Sequence, residues 1–207
     1  MQATQRIIQL GPDQFQPARL TLGQAFENYP LMVYARAKTE GRLDAVTSLY
    51  GSILRDCLSW GEVYATSDLA GVACWLSPGH TSPGLPRLIR SGMLRLPGHF
   101  GWRGFRCLKT YGDLANQLHH EHASGSHWYL SAIGVRPQDQ GKGIARQLVA
   151  PILARADRDS LPCYLETHVE ANVKIYRRLG FEVASSAVPR GHPLTVWGMV
   201  RRPHEEQ

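Results

Sequence analysis

Residues 135–149 read VRPQDQGKGIARQLV, and this stretch restricts the fold more than any other. Before it, Trp128 to Val135 is an apolar run that reads as a strand; after it, Ile144, Leu148, Ile152 and Ala156 recur at helical spacing. The chain must therefore pass from strand to helix through a short loop that holds Gly141 and Gly143. Successive N–H groups of such a loop converge, and the helix start adds its own unpaired donors and the positive end of its dipole. Glycines let a bulky anion approach the main chain without meeting a Cβ, while Lys142 and Arg146 place positive charge at the rim. A pyrophosphate fits this cradle best. Two better-known phosphate loops fail on spacing. A Walker A loop has four residues between its first glycine and Gly-Lys, then Ser or Thr, whereas six residues separate Gly134 from Gly141 and Gly143 follows the lysine. The dinucleotide fingerprint needs Gly or Ala where this chain has Arg146.

The rest of the chain supplies a sheet for that strand. Arg6 to Leu10 reads as a first strand, Gly11-Pro12-Asp13 as a turn, and Gln14 to Phe26 as a helix. Arg42 to Ser59 carries a helical apolar stripe, and Gly61 to Ser67 and Gly71 to Leu76 form a β-hairpin about Asp68-Leu69-Ala70. From Ser77 to Ser126, prolines and glycines interrupt weak helical patterns; we read a variable insert with helices near Leu85–Leu94 and Phe105–His120. After the glycine loop come a helix bent at Pro151, a strand at Cys163–Thr167, a helix at Glu170–Leu179, and a closing strand pair at Phe181–Ala187 and Leu194–Val200. At 207 residues this organisation is that of one α/β domain.

Composition removes several classes. The four cysteines, Cys57, Cys74, Cys107 and Cys163, show no CxxC spacing and three lie in apolar runs, as expected of packed thiols in a reducing compartment. MQATQRIIQL has neither a basic leader nor a long apolar core, so a cytoplasmic protein is expected. The net charge of +6 equals the excess of one segment: between Asp68 and Asp113 there is no acidic residue, and Arg87, Arg90, Arg95, Arg103, Arg106 and Lys109 lie there. Such an island suits anionic ligands or a solvated helix face; without RNP-type aromatics or a recognition-helix pattern, neither nucleic acid nor a membrane is the expected partner. His119-His120-Glu121-His122 looks metal-like, but adjacent helical residues diverge and HExxH spacing is absent, so a solvated helix end and no metal are expected.

The pattern Val135-x-Pro137-Gln138-x-x-Gly141-x-Gly143 resembles that of the GNAT family of N-acetyltransferases, and a second motif follows at the matching distance. CYLETHVEANVKIYRRLGF, residues 163 to 181, is similar to the strand, helix and Leu-Gly-Phe closure of that family, with Asn172 and Tyr176 at the places of its usual asparagine and tyrosine. The resemblance implies an α/β acyl-CoA N-acyltransferase (GNAT) fold, a single domain whose central mixed, mostly antiparallel sheet is flanked by helices. That sheet should splay between the strand ending at Val135 and the strand starting near Cys163. The implied reaction is direct attack of a primary amine on acetyl-CoA, the acceptor being a small molecule or xenobiotic. The alternatives are a protein N-acetyltransferase, a longer acyl donor, or a non-catalytic acyl-CoA sensor. A monomer or homodimer fits.

The resemblance also assigns residues. The diphosphate of acetyl-CoA would lie over the N–H groups of Gln140, Gly141, Lys142, Gly143, Ile144, Ala145 and Arg146. The pantetheine arm would follow Ile133, Gly134 and Val135 like an added strand, with Gly134 keeping that edge accessible and the Ile133 N–H donating to the thioester oxygen. Asn172 and Tyr176, four residues apart, share one helix face. With reference pKa values of about 10 for a phenol and about 8.5 for a thiol, Tyr176 stays protonated and can hydrogen-bond to or protonate the departing thiolate; an ordinary core tyrosine is the competing role. Tyr129 and Ser131, on the strand before the loop, are poor bases. Glu166 is the better candidate to take the amine proton, directly or through water, with His127, His168 and Glu121 behind it. Tyr29, Tyr34 and the insert would wall the acceptor side.

Overall fold

The computed structural model describes residues 5–203, so the first residues of the N-terminal stretch read above lie outside it. In chain order the elements are β1 (Ile7–Gln9), α1 (Phe15–Phe26), α2 (Pro30–Ala35), α3 (Arg42–Trp60), β2 (Gly61–Thr66), β3 (Gly71–Leu76), α4 (Leu85–Ser91), α5 (Leu96–His122), β4 (Trp128–Val135), α6 (Ile144–Arg158), β5 (Cys163–Thr167), α7 (Glu170–Arg177), β6 (Glu182–Ala187) and β7 (Val196–Arg201). The strands form one seven-stranded sheet in the order β1-β2-β3-β4-β5-β7-β6. Every neighbouring pair is antiparallel except β4 and β5. Those two meet only at their first residues, Trp128 opposite Cys163 and Tyr129 opposite Tyr164, and then part. From Leu130 to Val135 the β5-facing edge of β4 has no strand partner, which is the expected splay.

Helices cover both faces. The apolar stripes of α1, α3 and α5 bury Leu22, Val46, Leu54 and Tyr111 against one face, and α6 buries Leu148 and Ile152 with Trp75, Leu165 and Phe181 against the other. Central β3, GVACWL, is buried at all six positions, as a strand covered on both faces requires. Two bidentate ion pairs tie helices to the frame: Arg201 grips Asp157 at 2.8 and 2.7 Å, joining β7 to α6, and Arg87 grips Asp56 at 2.6 and 2.7 Å, joining α4 to α3. Arg87 of the basic island is therefore committed to the fold.

Three features depart from the sequence reading. A short helix, α2, stands where none was expected, opened by Pro30 at its first position. The second insert helix starts nine residues early, at Leu96, and turns at Gly101, whose φ of 69° and ψ of 169° interrupt the helical backbone. Gly134, on the unpartnered edge of β4, also has a packing role. A Cβ there would stand 2.8 Å from Ala25 Cβ and 3.1 Å from both Leu22 Cδ2 and Phe26 Cε2, so its missing side chain is what lets α1 seat on β4. Gly134→Val should overpack this contact and lower stability by about 1–3 kcal/mol in denaturant unfolding.

Candidate active site

The glycine loop has the backbone its sequence demands. Gly141 and Gly143 have φ of 76° and 77°, the left-handed region that glycine enters without penalty, and a Cβ at either would project into open space. Gly143 is the N-cap of α6, so the free N–H groups of the helix start open directly onto the loop. The loop braces itself. Gln140 donates from Nε2 to the Val135 carbonyl at 3.1 Å, and Asp139 accepts from Lys142 Nζ at 2.8 Å and from Arg136 Nε at 3.0 Å. The hydrogen bond from Lys142, helped by Arg136, holds the Asp139 carboxyl below its ordinary range. Lys142 is thus half-neutralised at the rim, while Arg146 is exposed. An open cradle of amides without Cβ atoms, beside an unpartnered strand edge, fits the diphosphate and amide arm of acetyl-CoA.

Where β4 and β5 part there is a cavity of about 260 Å³. Tyr29, Ile133, Glu166, Asn172 and Tyr176, separated by up to 147 positions, all line it. Tyr34 does not; it stands in a neighbouring groove. The strand supplies a detail that the sequence did not disclose. Pairing of β3 with β4 shifts register between Cys74, opposite Ala132, and Trp75, opposite Leu130, so Ser131 is an extra, bulged residue. The bulge breaks strict alternation: Tyr129 and Ala132, three apart, pack toward the same core.

Glu166 is the carboxylate of this cavity. Its Oε2 accepts from the Tyr129 hydroxyl at 2.7 Å, and its Oε1 is buried without a hydrogen-bond partner. Burial pushes its pKa up to about 7, against the lowering effect of the neighbouring Tyr129 and Tyr164 phenols. A carboxylate poised there changes charge near neutral pH. Tyr129 is no base: burial, and then the adjacent carboxylate, push its own pKa well above that of a free phenol.

Tyr176 is aimed by the end of its helix. The Phe181 N–H bonds to the Tyr176 carbonyl at 3.1 Å and the Gly180 N–H to the Arg177 carbonyl at 3.1 Å, with Gly180 at φ 86°. This is a Schellman closure, in which residues at the Tyr176 and Phe181 positions touch; their rings meet edge to face at 6.0 Å. The Leu-Gly-Phe sequence therefore clamps the tyrosine ring. Burial raises the Tyr176 pKa, and the phenol stays protonated. Asn172 donates from Nδ2 to Thr167 Oγ1 at 3.3 Å, tying α7 to the end of β5. Tyr29 reaches the same point: its hydroxyl accepts from the His168 N–H at 2.7 Å and lies 3.2 Å from Thr167 Oγ1.

His119 is not a solvated helix end. It is 4% exposed and His127 is 3% exposed, with their Nε2 atoms 2.7 Å apart. His127 Nδ1 sits 2.7 Å from the Gly125 carbonyl, which can only accept, so His127 carries its proton there and His119 Nε2–H donates to His127 Nε2. The His119 ring stacks on Tyr164 at 4.7 Å and packs beside Tyr129, the two phenols next to Glu166. Burial drives the His119 pKa down to about 4 and lowers that of His127. The unfolded chain takes up protons near pH 6.5 that the folded pair refuses, so this pair stabilises the fold above about 6.5 and that stability is lost as pH falls towards 4. His168, lowered to about 4 by burial, acts in the same direction; Glu166 acts oppositely, its burial costing stability as pH rises from 4.5 through 7. Thermal unfolding of His119→Phe/His127→Leu should show a shallower loss of Tm between pH 6.5 and 4 than the parent. Among the described residues, no group of three or more His, Cys, Asp or Glu is arranged to hold a metal ion.

Comparison with known proteins agrees with this geometry. The acetyltransferase (GNAT) domain family matches residues 104–183. A Schizosaccharomyces pombe protein described as an uncharacterized N-acetyltransferase is 30% identical over 203 residues, spanning 93% of this chain and 81% of that protein. Among solved structures, the fold is similar to that of a histone acetyltransferase HPA2 and related acetyltransferase from Corynebacterium glutamicum, with a TM-score of 0.70, 19% identity and 98% of each chain covered. It is also similar to arylalkylamine N-acetyltransferase 2 from Aedes aegypti, with a TM-score of 0.60, 14% identity, and 96% of this chain and 99% of that one covered. A splayed sheet and a 30% identical relative along nearly the whole chain converge: the chain belongs to the GNAT family of acetyltransferases and is an N-acetyltransferase.

Proposed function

We propose that the protein moves an acetyl group from acetyl-CoA to the primary amine of a small molecule, by direct attack while both substrates are bound. The observation that carries this reading is the presence of Glu166 and Tyr176 in one cavity at the point where β4 leaves β5. Acetyl-CoA supplies the activated acyl group. The amides from Gln140 to Arg146 would hold its diphosphate, and the free edge at Ile133–Val135 its pantetheine arm. The Ile133 N–H donates to the carbonyl oxygen on which charge develops. Glu166, steadied by Tyr129, accepts a proton from the ammonium form of the acceptor and leaves the attacking amine neutral. Tyr176 presents its O–H to the departing sulfur. Asn172 and Tyr29, through Thr167, hold the cavity wall formed by the end of β5.

The acceptor class draws on a further resemblance. The stretches AFENYPLMVY, VACWLSP, AIGVRPQDQGKGIA and YRRLGF are similar to puromycin N-acetyltransferase, so aminonucleosides belong in the test beside arylalkylamines and peptide N-termini. The experiment follows free thiol released from acetyl-CoA across such a panel. Acceptor-dependent release with small amines supports the reading; release only with peptides, or none above background, overturns it. Calorimetry isolates the cradle. In Gly143→Ala the left-handed conformation costs about 1–2 kcal/mol, so the free loop relaxes out of shape and binding must restore it. The Kd for coenzyme A should rise about tenfold, and an unchanged Kd would remove the loop from the diphosphate site.

A further inference from the structure

Beside the catalytic cavity lies a second, larger opening of about 1270 Å³, bounded by α2 and its trailing residues, by the first half of α5, and by His192 from the loop between β6 and β7. Its charge is one-sided. Arg36, Lys38, Arg103 and Arg106 line it, and no aspartate or glutamate does so among the described residues. Lys38, Arg103 and Arg106 are exposed and in no ion pair among those residues. Arg36 spends its Nη1 and Nη2 on the His99 and Glu40 carbonyls at 2.6 and 3.1 Å, which orient the guanidinium without cancelling its charge, and its Nε is buried and unpartnered. Two aromatic rings stand open in the same wall, Trp102 at 68% and Tyr34 at 43% exposure.

One helix lines both openings. Residues of α5 up to Thr110 line the outer groove, and Tyr111, Gly112 and Ala115 line the inner cavity. Tyr111 stands at the junction: its hydroxyl accepts from the Leu194 N–H at 2.9 Å, and its ring meets Tyr34 and His192 on the groove side and His168 on the cavity side, each edge to face. At 1.5 Å of rise per residue, Arg106 lies roughly 10 Å along the helix from Gly112.

We infer that the acceptor is a primary amine carrying an anionic group at its far end: the amine reaches the inner cavity near Glu166 while the anion rests among Arg36, Lys38, Arg103 and Arg106. This rests on the acetyl-transfer reading of the inner cavity and names what the acceptor must bear. Four uncompensated cations around a cleft concentrate anions there and leave a neutral amine without partners for them. The anion is a carboxylate or phosphate on a small molecule.

The test is a matched pair: 8-aminooctanoate against the neutral 8-aminooctanamide as acceptors, with a peptide bearing Glu after its first residue against the same peptide bearing Gln. The acid should be preferred by about tenfold in kcat/KM, carried by KM, since each exposed cation contributes modestly. That ratio should shrink with added salt and approach one in Arg103→Gln/Arg106→Gln, whose exposed positions spare the fold. A preference in the first pair assigns a small acidic amine; a preference confined to the second assigns an acidic peptide and overturns the small-molecule reading. Equal use of acid and amide in both pairs, where transfer does occur, overturns this inference and leaves the acetyl-transfer reading standing. If no amine is acetylated although coenzyme A binds, that reading falls first; calorimetry of 8-aminooctanoate and its amide on the coenzyme A-loaded protein then decides, and equal affinity overturns the inference as well.

Discussion

Replacing Tyr176 by Phe should lower kcat by about 10²- to 10⁴-fold and leave the Kd for coenzyme A within about a factor of three. The ring remains, so the edge-to-face contact with Phe181 and the Schellman closure at Gly180 persist, and the helix end should keep its place. What disappears is one O–H in the cavity. If that O–H serves the departing sulfur, its loss appears in the chemical step and not in binding. Steady-state kinetics with calorimetry separates the two roles: a tyrosine that only fills space would lose nothing in kcat when changed to Phe.

The second large effect belongs to Glu166. Glu166→Gln should cut kcat/KM by about 10²- to 10⁴-fold and abolish the rise in kcat/KM expected of the parent as pH climbs through about 7. The sign follows from burial. The folded carboxyl titrates near 7, above its ordinary 4.5, so it is protonated and unable to accept a proton below that point and becomes a base above it. Stability moves the other way. The folded chain holds this proton between pH 4.5 and 7 while the unfolded chain has released it, so ionising Glu166 costs stability as pH rises through that window. A neutral amide keeps an oxygen for the Tyr129 hydroxyl and escapes the cost. The variant should therefore gain Tm relative to the parent as pH rises from 4.5 to beyond 7. An inactive variant with that gain identifies a base; an inactive variant with lowered Tm at every pH would identify a structural carboxyl.

The glycine loop and the helix closure behind Tyr176 were legible before any coordinates because their signals are local. Gly141 and Gly143 sit where the backbone turns left-handed, and Leu179-Gly180-Phe181 writes a helix closure in three letters. Alternation and helical spacing likewise placed the strands and most helices. The misreadings arose where the deciding partner is remote. The packing role of Gly134 was hidden because nothing near it in the chain mentions Leu22 and Ala25. His119 looked solvated because its neighbours His120, Glu121 and His122 are polar, whereas its ring is covered by Tyr164 and bonded to His127. Helix α2 was passed over because six residues are too few to show a helical period.

The chain's own letters thus determined the strand, glycine loop and helix start, the clamped tyrosine, and through them the family, since backbone conformation and helix closure depend on residues within a few positions of each other. Tertiary structure alone decided that Glu166 is buried with its carboxyl raised to about 7, that Ser131 bulges, and that α5 lines both the cavity and a cationic groove, with Tyr111 among the cavity residues. Desolvation, strand register and the enclosure of a cavity are made by atoms brought together from far along the chain, and no short stretch of sequence contains them.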